Sequence, residues 1–254
     1  MKPYADRDEC AILVGATGAF GTAITQRLLA AGLGVIAVAR SADSLQAMTA
    51  QHPGVRACVA DIASDSAIAA IAGAIDKPVR MVVHGPGVAV AGGILTAPTE
   101  SMVDAVNIKV GGLLRLVRAA DARLSAGSRI VAIGGHYGLE PTAYAAAAGV
   151  ANAAILNVVR QLSLGYGPRG ITAHTIVPGP ADTDRLRRVA ATRAEQRGCS
   201  TDEVLDEMRA ESSLGILSTP DQIAWAVTLL LAPEADAMTG SSLMLDAGRR
   251  RGLP

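Results

Sequence analysis

The chain has 254 residues, half of them hydrophobic, and its 23 basic and 23 acidic side chains balance. With no basic tract beyond Arg249-Arg250-Arg251, that balance argues against nucleic acid as a partner. No apolar run approaches a membrane span, and the scattered Cys10, Cys58 and Cys199 lack metal-ligand spacing, so no membrane, no metal and buried thiols in a reducing cytoplasm are expected.

The polar first ten residues are not expected to form a signal peptide. The apolar run 11–14 is the right length for a buried strand. Residues 15–21, Gly-Ala-Thr-Gly-Ala-Phe-Gly, make a tight turn, and 22–31 form an apolar-faced helix stopped by Gly32. Strand, turn and helix in that order bring backbone N–H groups and a helix N-terminus to one spot, which suits a pyrophosphate. By itself the glycine string would equally serve a tight turn in another α/β protein.

Gly34–Ala39 is a second buried-strand run, followed by Arg40. Ser41 caps a helix carrying Leu45 and Met48, and Val55–Val59 is a third strand, closed by Asp61. Three strands separated by two helices make the mononucleotide-binding half of a doubly wound sheet. Ser64 is expected to cap the next helix, through Ile68 and Ile71. A fourth strand at 79–83 ends in His84-Gly85-Pro86-Gly87. One long helix is expected from Pro98-Thr99-Glu100 through Met102, Val106 and Leu113 to Ala120. A fifth strand at 129–133, an alanine-rich helix ending near Leu164 and a sixth strand at 171–177, holding a core His174, come next. The charged stretch 182–213 reads as two exposed helices. Thr219-Pro220-Asp221 opens another helix, and 241–245 is the last strand.

These landmarks resemble the short-chain dehydrogenase/reductase family, over nearly the whole chain. They are the glycine turn, Asp61, His84-Gly85-Pro86-Gly87 where the family usually has Asn-Asn-Ala-Gly, and Asn107. Gly167-Pro168-Arg169-Gly170, Pro178-Gly179 with Thr183, and Met238-Thr239-Gly240 through Asp246-Ala247-Gly248 complete the set. Ala19 stands where the family's compact branch usually has glycine, but chain length and the late motifs favour that branch. The resemblance implies an α/β, Rossmann-like doubly wound fold. Its seven-stranded parallel sheet would carry helices on both faces in a single domain, 1–254, with residues 182–215 forming helices over the substrate.

It also implies a nicotinamide cofactor along the carboxyl edge of the sheet. The positions implied are Gly15, Thr17, Gly18, Phe20 and Gly21, then Asp61 and Ile62 flanking the adenine, and Gly85, Pro86 and Gly87. Asn107, Asn152, Pro178, Gly179 and Thr183 complete them. An acid at the end of the second strand would hold a ribose 2′-OH, whereas an arginine accommodates a 2′-phosphate. Ala39 occupies the acidic position and Arg40 follows it, so NADP(H) is expected over NAD(H).

The family's chemistry uses Ser, Tyr thirteen positions later and Lys four beyond that, with Asn in support. Ile133 upstream and Gly167-Pro168-Arg169-Gly170 downstream both put these positions at Gly135, Ala148 and Asn152, so Asn107 alone survives. Making Tyr144 the family's tyrosine would put Ala148 at the lysine position and turn the helix face by about 40°. The catalytic set therefore reads as removed. Candidate replacements are His136 and Tyr144, with His84 and Tyr137 on the same edge. A histidine donor would give a pH limb near 6.5.

Three functions stay open. One is an NADP(H)-dependent ketoreductase acting on a small molecule, with a proton from His, Tyr, water or the substrate. The others are a non-catalytic NADP-binding partner of an active homologue, and a cyclase, dehydratase or isomerase. The resemblance further implies a homodimer or homotetramer pairing helices 99–120 and 149–165, with Ala146, Ala147, Val150 and Ala154 as small apolar positions there.

Overall fold

Alternate residues of a strand point to opposite faces of its sheet, so a strand covered on both sides must be apolar at every position. In β1 (Cys10–Val14), Cys10, Ile12 and Val14 enter one core while Ala11 and Leu13 enter the other. The computed structural model describes residues 2–89 and 92–252. Met1 of the polar start, and residues 90–91 and 253–254 of the expected domain, lie outside them. β2 (Gly34–Ala39), β3 (Val55–Val59), β4 (Val79–His84), β5 (Leu124–Ile133), β6 (Thr172–Pro178) and β7 (Ser242–Leu245) join β1 in one parallel sheet. Its order is β3-β2-β1-β4-β5-β6-β7, and the doubly wound fold read from the sequence is the fold of the protein.

Helices α1 (Ala19–Ala30), α2 (Ala42–Gln51) and α9 (Pro220–Leu229) cover one face with Ile24, Leu28, Leu45, Ile223 and Val227. The opposite face carries α3 (Ser66–Ala74), α5 (Gly112–Ala120) and α6 (Ala146–Tyr166), through Ile71, Leu113, Leu116, Ile155 and Val159. Each such fully buried side chain contributes about 1.5–3 kcal/mol. α7 (Asp184–Arg197) and α8 (Thr201–Ala210) share a small core of their own around Ala190, Val204 and Leu205. Capping boxes start α8 (Ser200 with Glu203) and α9 (Thr219 with Gln222, Pro220 at the first position).

The chain winds outward from β1 to β3 and then restarts at β4, so a crevice opens where the strand order reverses. The turns after β1 and β4 meet there: the Gly85 N–H donates to the Val14 carbonyl at 3.0 Å. Gly15 has φ +83°, and a Cβ on it would lie 3.1 Å from the Gly85 carbonyl carbon, so only glycine fits.

The structure departs from the sequence reading in a few elements. α1 begins at Ala19 rather than 22, because the last glycine of the turn is itself helical. Asp65 stands at the N-cap position of α3 without a side-chain cap bond, while the expected Ser64 accepts from the Ser66 N–H through Oγ at 3.3 Å. β5 begins at Leu124, and its register against β4 shifts between Val79 and Met81. The long helix is broken in three: α4 (Thr99–Val106), a π turn (Asn107–Gly111) and α5. Ala146 and Ala147 are buried in their own chain, Ala147 against Val88 and Ala105, and do not offer an intermolecular face. Among the described residues no helix is long and apolar enough to cross a membrane, and no His, Cys, Asp and Glu cluster could hold a metal.

Candidate active site

A cavity of about 540 Å³ lies on the carboxyl edge, running from the glycine turn past Gly85, Pro86 and Gly87 to Tyr137 and Tyr144. That size suits a small-molecule site. At its glycine end, Gly18 is the N-cap of α1 and offers no side-chain acceptor. The first-turn residues Ala19, Phe20 and Gly21 line the cavity with their N–H groups uncapped. A Cβ on Gly21 would run into the Gly15 and Ala16 carbonyls. This cradle fits the pyrophosphate of a dinucleotide. Pro178, Gly179 and Thr183 line the same cavity from β6 and the approach to α7.

Thr17, Arg40, Asp61 and Ile62 are outside the cavity lining. Arg40 and Asp61 follow β2 and β3 on the same edge of the sheet, both exposed. Arg40 makes no ion pair among the described residues, and the Asp61 carboxylate accepts from the Ala63 N–H at 3.0 Å.

Gly135, Ala148 and Asn152 share the cavity wall. The Asn152 amide nitrogen lies 2.7 Å from where a side chain on Gly135 would begin, so serine at 135 would require that amide to turn away. Asn152 is buried, and its Oδ1 has no hydrogen-bond partner among the described residues.

Of the proposed proton donors, His136 is buried with its ring against Tyr137, centroids 4.0 Å apart. Desolvation foremost, then the charge of Arg249, holds its pKa down to about 4. At neutral pH it is an uncharged imidazole, so the limb near 6.5 expected from the sequence has no source in this ring. Tyr144 lies just before α6, shares a 2.8 Å hydrogen bond with Tyr137 and has the Arg193 guanidinium 4.2 Å above its ring. Burial alone would raise its pKa, but the hydrogen bonds of Tyr137 and Arg193 and the charges of Arg193 and Arg249 bring it below the ordinary value.

Two further candidates are held elsewhere. Asn107 donates to the Ala63 carbonyl at 3.0 Å and accepts from Arg115 at 2.9 Å, so its amide ties the π turn to the loop after β3 and does not line the cavity. His84 is fully buried outside the cavity lining, with Nε2 3.0 Å from the Ile108 carbonyl. Desolvation, then the charge of Lys109, holds it neutral at about 3.

The sequence reading missed the cavity's cations. Lys109, Arg185, Arg188, Arg193 and Arg249 line it, against the single acid Asp184. Arg185 reaches across Gly87 and donates to the Val88 carbonyl, while Arg249 pairs with Glu211. Lys109 is 4% exposed, and its Nζ donates to the Ile133 carbonyl at 2.7 Å. A signal for it was present: Lys109 stands seven residues after Met102 and three after Val106, on the apolar face of the expected helix.

The family model described as enoyl-(acyl carrier protein) reductase matches residues 15–250. The short-chain reductase protein NovJ of Streptomyces niveus is 30% identical over 257 aligned positions, spanning 96% of this chain and 94% of its own. A putative ketoacyl reductase of Streptomyces coelicolor is 27% identical over 94% of this chain and 96% of its own. Among solved structures, the NADPH-bound short chain oxidoreductase of Pseudomonas aeruginosa with an atypical catalytic center matches with a TM-score of 0.85. It is 24% identical over 96% of this chain and 97% of its own, a likeness of fold. Sheet order, glycine turn and these relatives agree that the chain belongs to the short-chain dehydrogenase/reductase family.

Proposed function

We propose that the protein is an NADP(H)-dependent oxidoreductase that reduces the carbonyl of a small ketone with a proton from outside the Ser-Tyr-Lys positions. The observation that carries this reading is the continuous cavity from an uncapped helix N-terminus to the tyrosine pair, with Arg40 exposed beyond its glycine end. The names of the two Streptomyces relatives, a short-chain reductase and a ketoacyl reductase, support it.

When bound, the dinucleotide supplies the hydride. The first turn of α1 would hold its pyrophosphate and Arg40 its 2′-phosphate. The free Oδ1 of Asn152 would accept from a ribose hydroxyl. Tyr137, Tyr144 and Arg193 form a polar, cationic end that orients the substrate beside Ala148. α7 and α8, within 182–215, would wall the substrate in. Single-domain organisation and assembly as a homodimer or homotetramer belong to the same reading, and the buried free thiols of Cys10 and Cys58 support a cytoplasmic setting.

The loss of Ser, Tyr and Lys at 135, 148 and 152 favours a second reading, a non-catalytic NADP-binding partner. Oxidation of NADPH over a ketone panel separates the two. Calorimetry tests the cofactor: charge-assisted hydrogen bonds to phosphate are worth about 1.5–3 kcal/mol, so NADPH should bind about tenfold or more tighter than NADH. Arg40→Ala should erase the difference. Equal affinities in the wild type would overturn the assignment.

A further inference from the structure

Lys109 is the one lysine on the cavity wall, and it arrives there by an irregularity of the backbone. The π turn Asn107–Gly111 inserts an extra residue into the helical ladder, a feature that recurs at functional sites. Its Ile108 carbonyl is taken by His84 from β4, and Gly112 follows so closely that a Cβ there would lie 2.7 Å from the His84 ring. The turn packs on α6, and Lys109 shares the cavity wall with Gly135, Ala148 and Asn152. Its Nζ sits on the Ile133 carbonyl, two residues before Gly135.

Resting on the reductase reading, we propose that Lys109 is the proton donor to the reacting oxygen. The carbonyl carbon receives the hydride with its two electrons from NADPH, and the C=O π electrons move onto oxygen. The Lys109 ammonium passes one proton to that oxygen, leaving an alcohol, oxidised cofactor and a neutral amine that water reprotonates. The charged surroundings suit this role. His84 on β4 and His136 after β5 are neutral near pH 7, Asn152 on α6 does not titrate, and Tyr137 and Tyr144 are phenols. Arg115 of α5 is turned away to Asp65 at 2.6 Å, and Arg185 of α7 is a cation. Among the described residues no carboxylate pairs with Lys109. Desolvation, then the charge of Arg185, holds its pKa at about 8 instead of 10.5, near the value an acid working at neutral pH needs. His84 is a positioning residue that holds the turn.

The chain's three lysines, Lys2, Lys77 and Lys109, make the direct test tractable. In protein labelled with 13C-lysine, the side-chain signal lost in Lys109→Arg is expected to titrate near 8 without any cofactor. Titration alongside Lys2 and Lys77 would overturn the proposal. With NADPH and a ketone that turns over, kcat/KM should be flat below about pH 8 and fall above it. Lys109→Arg and Lys109→Met should each lose about a hundredfold or more in kcat and lose that limb. NADPH affinity should change only a few-fold. A variant that keeps both rate and limb, or a loss concentrated instead in Tyr144→Phe, would overturn the donor while leaving the reductase reading standing. Absence of hydride transfer in the wild type across the panel would overturn both.

Discussion

A buried cation is normally a liability, and Lys109 is 4% exposed with the Ile133 carbonyl as its only hydrogen-bond partner among the described residues. Its folded pKa lies below the unfolded one, so between about 8 and 10.5 the unfolded chain holds a proton that the folded chain lacks. Stability therefore rises with pH through that window, and below it the full penalty is present, about 3 kcal/mol. Lys109→Met removes the charge but leaves the Ile133 carbonyl unpaired, a loss of about 1–3 kcal/mol. The variant is expected to be at least as stable as the wild type at pH 7 and to lose about 3 kcal/mol relative to it by pH 10.5. Denaturant melts at both pH values check this; a difference that does not move would mean the lysine is not held near 8. A residue kept at a stability penalty in a cleft points to function.

The π turn shows why an element can be half-read. In a straight α-helix one inserted residue would turn the stripe by about 100°, and the wider π turn absorbs it locally, so Met102, Val106 and Leu113 still read as one helix over 99–120. The insertion exposes a carbonyl, and His84, which from its position at the end of β4 reads as an edge acid, is consumed in satisfying it. His84→Leu should cost about 1–3 kcal/mol for the orphaned Ile108 carbonyl. The same variant should shift the Lys109 signal. NADPH affinity should hold within a few-fold, since the glycine turn is untouched. A collapse of NADPH binding with unchanged melting would show that His84 touches the cofactor rather than positioning the turn.

Apolar side chains that stand outside both cores bear on assembly. Val103 on α4 and Val150 and Leu164 on α6 are 63%, 47% and 68% exposed, on the helices that the family resemblance pairs between copies. With Ala146 and Ala147 withdrawn into the chain, these larger residues are the ones left to form a face. A stable interface needs at least about 1,000 Å² in all. Light scattering should give a dimer or tetramer at micromolar concentration, and Val150→Glu with Leu164→Glu should shift it toward monomer. A monomeric wild type would refute the assembly.

Local pattern carried the strands and the glycine turn, because buried parallel strands are apolar throughout and turns need particular residues; the seven-stranded sheet was implied by the family resemblance, and its order is seen in the structure. That Gly135, Ala148 and Asn152 hold the family's catalytic positions is implied by the resemblance, counted from Ile133 and from the Gly167-Pro168-Arg169-Gly170 corner; the structure adds that all three share the cavity wall. Which side chains act was not legible. His136 and His84 depart from an ordinary histidine through desolvation by packed segments and the charges of Arg249 and Lys109, and Asn107 is drawn off by Ala63 and Arg115. Arg193 and Arg249 meet the tyrosine pair from helices and loops remote in sequence. Lys109 enters the cavity because one inserted residue, held by a histidine more than twenty positions away, changes where its stem begins. Those placements depend on packing between elements, and only the tertiary structure decided them.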